Sequence, residues 1–214
     1  MSSYVRPVID APVFRDADGQ VIDYGNRWPG SPPDDTYSVD THPERFAPLH
    51  TVADAIVAYL RETYDVEIDE GADVAGDVIR QAGDVARAVR IRPNDATCAA
   101  LTIVFTAYPG VVIHAGVLHD FFFPTCGCDA CDSHWAAEAD DLEMHVFAVV
   151  NGYYSESIES GPDPWMEYAI ALPDGSGRSG RGKPDGVSAE QLDSARTLLP
   201  PDGWAAWPVQ SPAG

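Results

Sequence analysis

The feature that most constrains this sequence is a run of three cysteines within six residues, Cys126, Cys128 and Cys131, between a strongly apolar strand pattern and a helix pattern. Zinc in proteins binds thiolate and imidazole groups at the corners of a tetrahedron, so several such groups must surround one point. One loop can supply three of them here, because Gly127 permits a tight turn and Cys131 leads into the positive end of a helix dipole, which favours thiolates. The spacing therefore predicts a zinc-binding loop.

A tetrahedral site needs a fourth ligand, and several residues could provide it. His119 is preferred, because it stands at a strand end seven residues before Cys126 and would clamp the loop from its other side. His134 follows Cys131 at helical spacing and is the next choice. His114 and Cys98 would have to reach the site from the sheet.

Two other interpretations of the cysteines stay open. Cys128 and Cys131 form a CxxC pair at a helix start, which is typical of thiol oxidoreductases. Plain structural cysteines are the second alternative, and Cys98 by itself is expected to be a small buried hydrophobe. In a reducing compartment disulfides rarely persist, so the tight cluster favours metal binding.

The charge of the chain narrows the choice of partners. Its 214 residues carry 34 acidic and 13 basic side chains, a net charge of −21, and Lys183 is the one lysine. Such a surface repels phosphate backbones, which excludes nucleic acid and anionic membranes as partners. The charge indicates either a generally solvated surface or an acidic face for a basic protein, as in inhibitors of nucleases.

The hydropathy pattern predicts a cytoplasmic protein. No stretch approaches 18 consecutive apolar residues, so no transmembrane helix is expected. The first residues, MSSYVRPVIDAPVF, lack the charged region and apolar core of a signal peptide.

Hydrophobic periodicity predicts an α+β fold, an antiparallel sheet packed by two main helices with the cysteine loop between a strand and a helix. The helices are expected at residues 48–63 and 133–150. Strands are expected at residues 85–91, 100–107, 111–118 and 165–172. The chain divides into a Pro-rich arm (1–43), an α+β core with the cysteine loop (44–173), a flexible Gly/Ser/Arg loop (174–187) and a C-terminal helix with a tail (188–214).

Local signals at the helix ends sharpen these predictions. Asp132 is expected to cap the second main helix and Gly152 to follow its end. Ser188 and Gln191 match a capping box that opens a short third helix. One face of the second helix carries a polar stripe, which predicts a solvated surface: His134, Glu138, Asp141 and His145.

No catalytic motif is present: the sequence has no G-x-S-x-G, phosphate-binding loop, dinucleotide fingerprint or HExxH. A closed site of three cysteines and one histidine leaves no position for water or substrate. We therefore expect a zinc-binding protein in which the metal is structural and the role is interaction-mediating rather than enzymatic. The alternatives are a thiol oxidoreductase, a metal-dependent hydrolase, and an acidic immunity-type inhibitor of a basic toxin.

The central block contains LTIVFTAYPGVVIHAGVLHDF and FPTCGCDACDSHW. It resembles an uncharacterised family of small acidic actinobacterial proteins with a CGCDAC motif, known as a domain of unknown function. The resemblance covers residues 45–155, and CGCDAC is its most specific part. It implies a cytoplasmic bacterial protein and brings no activity, substrate or catalytic residue with it.

Overall fold

The continuously apolar run LTIVFT forms the middle strand of a five-stranded antiparallel sheet in a computed structural model that describes residues 3–80, 82–161 and 163–211. The strands lie in chain order, β1 (Val66–Glu70), β2 (Val85–Pro93), β3 (Leu101–Thr106), β4 (Val111–Ala115) and β5 (His119–Phe123). A second antiparallel sheet contains β6 (Tyr154–Ile158), β7 (Met166–Ala171) and β8 (Gly177–Gly182). The predicted α+β class is confirmed, and the second sheet is a feature that the sequence did not predict.

Two long helices pack on the five-stranded sheet. They are α1 (Pro48–Thr63) and α2 (Trp135–Val150), and a third helix, α3 (Ala189–Leu198), follows β8. The apolar residues that recur at helical spacing along α1 are fully buried: Leu49, Val52, Ile56 and Leu60. Pro48 opens α1, where its missing N–H costs no hydrogen bond. Across the described residues, the protein contains no helix with both the length and the apolar character that crossing a membrane requires.

The strand predicted at 111–118 ends earlier, and a turn then leads into a further strand. β4 ends at Ala115, Gly116 adopts a φ of 66°, and the chain returns as β5, pairing Ala115 with His119. Glycine reaches this left-handed conformation without the steric cost that a side chain would bring. The cysteine loop therefore follows a fifth strand, which the sequence did not predict.

The start of α2 also differs from the prediction. The helix begins at Trp135 and no side chain caps its first turn. Asp132 was expected to cap it but lies at a φ of 54° and accepts a hydrogen bond from the Arg27 backbone N–H at 2.8 Å. At the other end Gly152 follows the helix with a φ of 72°, as predicted. The capping box of Ser188 on α3 is confirmed.

The segment 174–187 was expected to be a flexible loop, yet it contains β8. In the β7–β8 pair Tyr168 lies opposite Gly180, and a Cβ built on Gly180 would stand 2.3 Å from the Tyr168 ring. The Tyr168 ring thus covers the backbone that Gly180 leaves unshielded. The hydrogen bonds between β7 and β8 hold these glycines in a strand although glycine by itself disfavours one. The proposed division of the chain at 174 and 188 remains a prediction, and residues 1–2 and 212–214 of its arm and tail fall outside the described residues.

The polar stripe of α2 is not solvated throughout. His145 is 5 % exposed, and its ring lies against those of Phe121 (4.6 Å between centroids) and Phe123 (5.4 Å). Its Nδ1 bonds the Asp141 carbonyl at 2.7 Å, and burial lowers the pKa of the imidazole. The prediction of a solvated stripe is wrong at this position, because β5 was not expected to pack against α2.

Two glycines of β8 allow a matched test of the Tyr168 contact. Gly180→Ala should lower the free energy of unfolding by about 1–3 kcal/mol, because the new methyl group would overlap the ring. Gly182→Ala on the same strand meets nothing within 4 Å and should change stability by less than about 0.5 kcal/mol. Urea unfolding of both variants measures the difference, and equal effects would contradict the contact.

The buried His145 should make the protein less stable in acid. As pH falls through about 6.5, the unfolded chain binds a proton that the folded imidazole resists, so stability is lost on acidification. His145→Gln should lose less unfolding free energy than the wild type between about pH 7.5 and about pH 5.5. Only the change between the two pH values is compared, which cancels any loss of packing. Identical changes in the variant and the wild type would show that His145 binds a proton as readily in the folded protein as in the unfolded chain.

Candidate metal centre

The three cysteine sulfurs converge on one point. The Sγ atoms of Cys126, Cys128 and Cys131 all lie within 4.8 Å of one another, and those of Cys126 and Cys128 are 3.4 Å apart. Tetrahedral zinc with Zn–S bonds near 2.3 Å places its sulfurs about 3.8 Å apart. None of the three cysteines forms a disulfide bond. The loop therefore presents three soft ligands at a spacing that could hold one metal ion.

The described residues supply only these three ligands. No histidine, aspartate or glutamate in the described part of the chain brings a donor atom within the same 4.8 Å of all three sulfurs. Cys126 and Cys131 are exposed and Cys128 is half-buried. The cluster consequently lies at the surface of the protein.

His119, the preferred fourth ligand, lies elsewhere. It starts β5 while the cysteines follow the end of that strand, and extended chain advances about 3.3 Å per residue. Its Nδ1 instead pairs with Oε2 of Glu156 at 3.1 Å. A strand between the two positions separates them, whereas the sequence had suggested that they fold together.

The other three alternatives also have different partners. His114 Nδ1 bonds the Asp120 carboxylate at 2.7 Å on the sheet. His134 packs on Gly25 of the N-terminal arm, where a Cβ would stand 2.6 Å from the imidazole. Cys98 is buried, as predicted, and its thiol donates to the Ala206 carbonyl at 3.3 Å, with its pKa raised by burial.

Backbone N–H groups surround the middle thiol. The N–H of Cys131 lowers the pKa of Cys128 to about 7, helped by the thiols of Cys126 and Cys131 and by the N–H of Ser38. Hydrogen bonds with the neighbouring sulfurs raise the pKa of Cys131 to about 12. Three sulfurs this close resist ionising together without a cation, and a bound metal would remove that conflict.

The N-terminal arm forms the other wall of the centre. Asp129 donates its N–H to the Val39 carbonyl at 2.7 Å, and Ala130 donates to the Thr36 carbonyl at 3.0 Å. Trp28 donates its indole N–H to the Asp129 carbonyl at 3.1 Å. The cysteine loop thus satisfies its backbone groups with the arm, about 100 residues earlier in the chain.

Two arginines connect the arm to the loop. Arg45 is 2 % exposed and donates to the carbonyls of Gly127 (2.6 Å) and Ser133 (3.2 Å). Arg27 donates through Nε to the Asp132 carboxylate at 2.5 Å. Both guanidinium groups lie 4.4 Å from the centroid of the Tyr24 ring. Buried charges of this kind stabilise a fold only when every partner is in place.

Backbone strain is concentrated around the cluster. Among the described residues, the non-glycine positions with positive φ are Ser38 (57°) and Asp132 (54°). Ser38 supplies an N–H that bonds the Cys128 sulfur, and Asp132 directly follows Cys131. Such conformations cost free energy and persist where the surroundings over-determine them, which is common at functional sites.

The comparisons with known proteins place residues 10–211 of the chain in one family. The family model described as "Family of unknown function (DUF6226)" matches residues 10–211. The chain belongs to this family of unknown function. The match extends over the N-terminal arm and the C-terminal tail, so the narrower span of 45–155 inferred from the sequence is corrected. Neither a curated protein nor a solved structure matches the chain.

The family match includes the residues that sequence reasoning missed at this centre: Arg27, Trp28, Ser38 and Arg45. The cysteine spacing identified the three sulfurs, because ligands within six residues form a local pattern. No comparable local pattern marks the arm, whose partners lie about 100 residues away. The sequence marks the arm only by its proline-rich composition.

Replacing Arg45 tests the connection between arm and loop. Arg45→Met should destabilise the protein by about 3–5 kcal/mol, because it leaves buried carbonyls and carboxylates without their cation. Arg61→Met is the control, since Arg61 pairs with Glu70 at a surface where each side chain is more than half exposed, and it should cost less than about 1 kcal/mol. Chemical unfolding gives both values, and limited proteolysis should cleave the arm faster only in Arg45→Met. A loss in Arg45→Met no larger than in Arg61→Met would contradict the structural role.

Proposed function

We propose that this protein binds one zinc ion through Cys126, Cys128 and Cys131, and that the metal is structural. The observation that carries the proposal is the convergence of the three sulfurs in a loop whose backbone is bound to the N-terminal arm. A metal bound here would fix the loop in the conformation that the arm recognises. Binding free energy at such a site becomes folding free energy, because the ligands are not arranged in the unfolded chain.

Zinc is the metal that the ligand set favours. Thiolates are soft ligands that select zinc, Cu(I) and iron–sulfur clusters over magnesium, calcium and manganese. Three sulfurs spaced for a tetrahedron suit a single zinc ion without requiring redox chemistry. N–H donors to a coordinated sulfur, such as those of Ser38 and Cys131, orient the ligand and stabilise its charge.

The fourth coordination position supports a role in interaction. Because Cys126 and Cys131 are exposed, a donor atom from another protein can reach this position and close the site, as a structural zinc requires. With a net charge of −21 on the chain, a basic protein is the partner whose charge is complementary. We propose a cytoplasmic zinc protein whose metal-bound loop and arm form a docking surface for such a partner.

Thiol chemistry is the second candidate, favoured by one specific observation. The pKa of Cys128 is lowered to about 7, so part of this thiol is thiolate at neutral pH. In thiol–disulfide exchange Cys128 would attack a substrate disulfide, and Cys131 would then attack Cys128, releasing the substrate as two thiols. The products would be a Cys128–Cys131 disulfide and a reduced substrate, which balances the two electrons.

Metal analysis separates the two candidates. Protein purified without chelators should contain about one equivalent of zinc by mass spectrometry, and chelation should lower its melting temperature. Cys126→Ala should reduce the zinc content several-fold, and since Cys126 is exposed, the chain should still fold. In the zinc-loaded protein alkylation of Cys128 should be slow, because the metal occupies the sulfur.

Cys98→Ala is the matched control for metal content. Cys98 is buried and bonds the Ala206 carbonyl, so its loss should cost stability while the zinc content stays the same. Zinc below about a tenth of an equivalent in the wild-type protein, together with fast alkylation of Cys128, would reject the structural metal and support the thiol enzyme. Equal loss of zinc from Cys98→Ala and Cys126→Ala would also reject the assignment of the ligands.

A further inference from the structure

A cleft separates the outer edge of the five-stranded sheet from the second sheet. It consists of two adjoining cavities of about 540 Å³ and about 330 Å³, which share the lining residues Arg80, His119, Asp120 and Tyr168. Sites for small molecules have volumes of about 300–1,000 Å³. The cleft, defined by these four residues and called the β5–β8 cleft below, shares no residue with the cysteine cluster.

His119 is held at the wall of this cleft by a buried carboxylate. The side chain of Glu156 is 0 % exposed and accepts five hydrogen bonds, one of them from His119 Nδ1 at 3.1 Å. The other donors are the N–H groups of Val117 (2.8 Å) and Leu118 (3.0 Å), the Trp204 indole N–H (3.0 Å) and the Tyr154 hydroxyl (3.2 Å). A carboxylate fixed by so many donors cannot turn, so it fixes the histidine ring in turn.

Because Nδ1 of His119 is bonded to Glu156, Nε2 is the ring nitrogen that a ligand can contact. An ionised carboxylate can only accept, so Nδ1 carries a proton towards Glu156. Nε2 then accepts a hydrogen bond from a ligand hydroxyl when the ring is neutral, and donates one to an oxyanion when the ring is protonated. The Tyr168 ring stands against the imidazole at 5.2 Å between centroids and limits its movement.

The lining of the cleft has more basic than acidic residues, unlike the chain as a whole. Acidic residues outnumber basic residues 34 to 13 in the whole chain. The cleft is lined by four basic residues, Arg80, Arg178, Arg181 and Lys183, and three acidic residues, Asp120, Asp141 and Asp185. Of these, the Asp120 side chain is 1 % exposed and is already bonded to His114 and to the Arg80 backbone N–H.

The basic side chains can exchange their present partners for a ligand. Arg181 pairs with Glu159 and Glu167, where each side chain is about half exposed and ion pairs contribute little. Lys183 is half-buried and pairs with the exposed Asp163. Among the described residues, no carboxylate lies within ion-pair distance of the Arg80 guanidinium. That group faces the Phe122 ring at 5.8 Å and stands at the junction of the two cavities.

We infer that the β5–β8 cleft binds a small organic anion, a molecule that bears a carboxylate or phosphate group on a short carbon frame. Arg80, Arg181 and Lys183 hold the anionic group, His119 Nε2 bonds it or a neighbouring hydroxyl, and Tyr168 contacts the carbon frame together with Leu118 and Met166. Guanidinium groups suit both anions, because their paired N–H groups match two oxygen atoms at once. The inference does not depend on the metal, so its failure and that of the zinc proposal are distinguishable.

Titration of the protein as purified, labelled with ¹⁵N-histidine, tests this inference. Inorganic phosphate and citrate are the probes, each added up to about 20 mM at one pH and constant ionic strength, with chloride as the blank. Either probe should shift the His119 imidazole signals saturably. The signal of His50, whose Nε2 bonds the Gly110 carbonyl beside α1, should stay in place.

Two arginine variants make the test specific. Arg80→Gln should weaken binding about 10-fold or more by removing a charge-assisted hydrogen bond, and since Arg80 is exposed the fold should be retained. Arg196→Gln on α3, which removes an exposed guanidinium paired with Asp193, should leave the affinity unchanged. Saturation by citrate alone would identify carboxylates as the ligand class, and saturation by phosphate would identify phosphate groups. No saturable shift with either probe, or equal weakening by both variants, would overturn the inference.

Discussion

The buried guanidinium of Arg45 is the interaction on which the arrangement around the cysteines depends. It lies between the N-terminal arm, the cysteine loop and Ser133, which stands two residues before α2, and it bonds a carbonyl group in each of these segments. A cation removed from water in this way is stable only with all its acceptors in place, so it couples the arm to segments more than 80 residues later in the chain. The metal ligands, by contrast, lie within one loop. Arg45 therefore sets where the loop stands, and the cysteine spacing sets what the loop can bind.

A second buried charge has the same function at the opposite end of β5. Glu156 receives hydrogen bonds from the β4–β5 turn, from the C-terminal tail and from His119. It joins the second sheet to the first, since β6 carries the carboxylate and β5 begins at the histidine. β5 thus has a fixed polar contact at each end, Glu156 at its start and the arm-bound cysteine loop after its end. The cleft beside this strand is a consequence of the way the two sheets meet there.

Much of the fold follows from local sequence signals. Helix α1 is specified by Pro48 and an apolar stripe, the β3–β4 hairpin by a β-branched run and the turn Tyr108-Pro109-Gly110, and α3 by the capping box of Ser188. The sequence was misleading where a contact with a distant segment overrides local preference. Asp132 leaves its expected cap because Arg27 binds it, and the glycines of β8 join a sheet because Tyr168 covers Gly180. These outcomes depend on side chains that no window of sequence contains.

The sequence by itself determined the α+β class, the core face of α1 and the three sulfurs of the candidate metal centre, because each depends on spacing within a few residues. Only the tertiary structure decided that His119 faces Glu156 rather than the cysteines, and that the arm forms a wall of the metal centre. It also decided that basic side chains gather in a cleft of a strongly acidic protein. In each of these places, residues distant in the chain come together and form the hydrogen bonds that buried charges and backbone groups need. Such pairings depend on the packing of the whole chain.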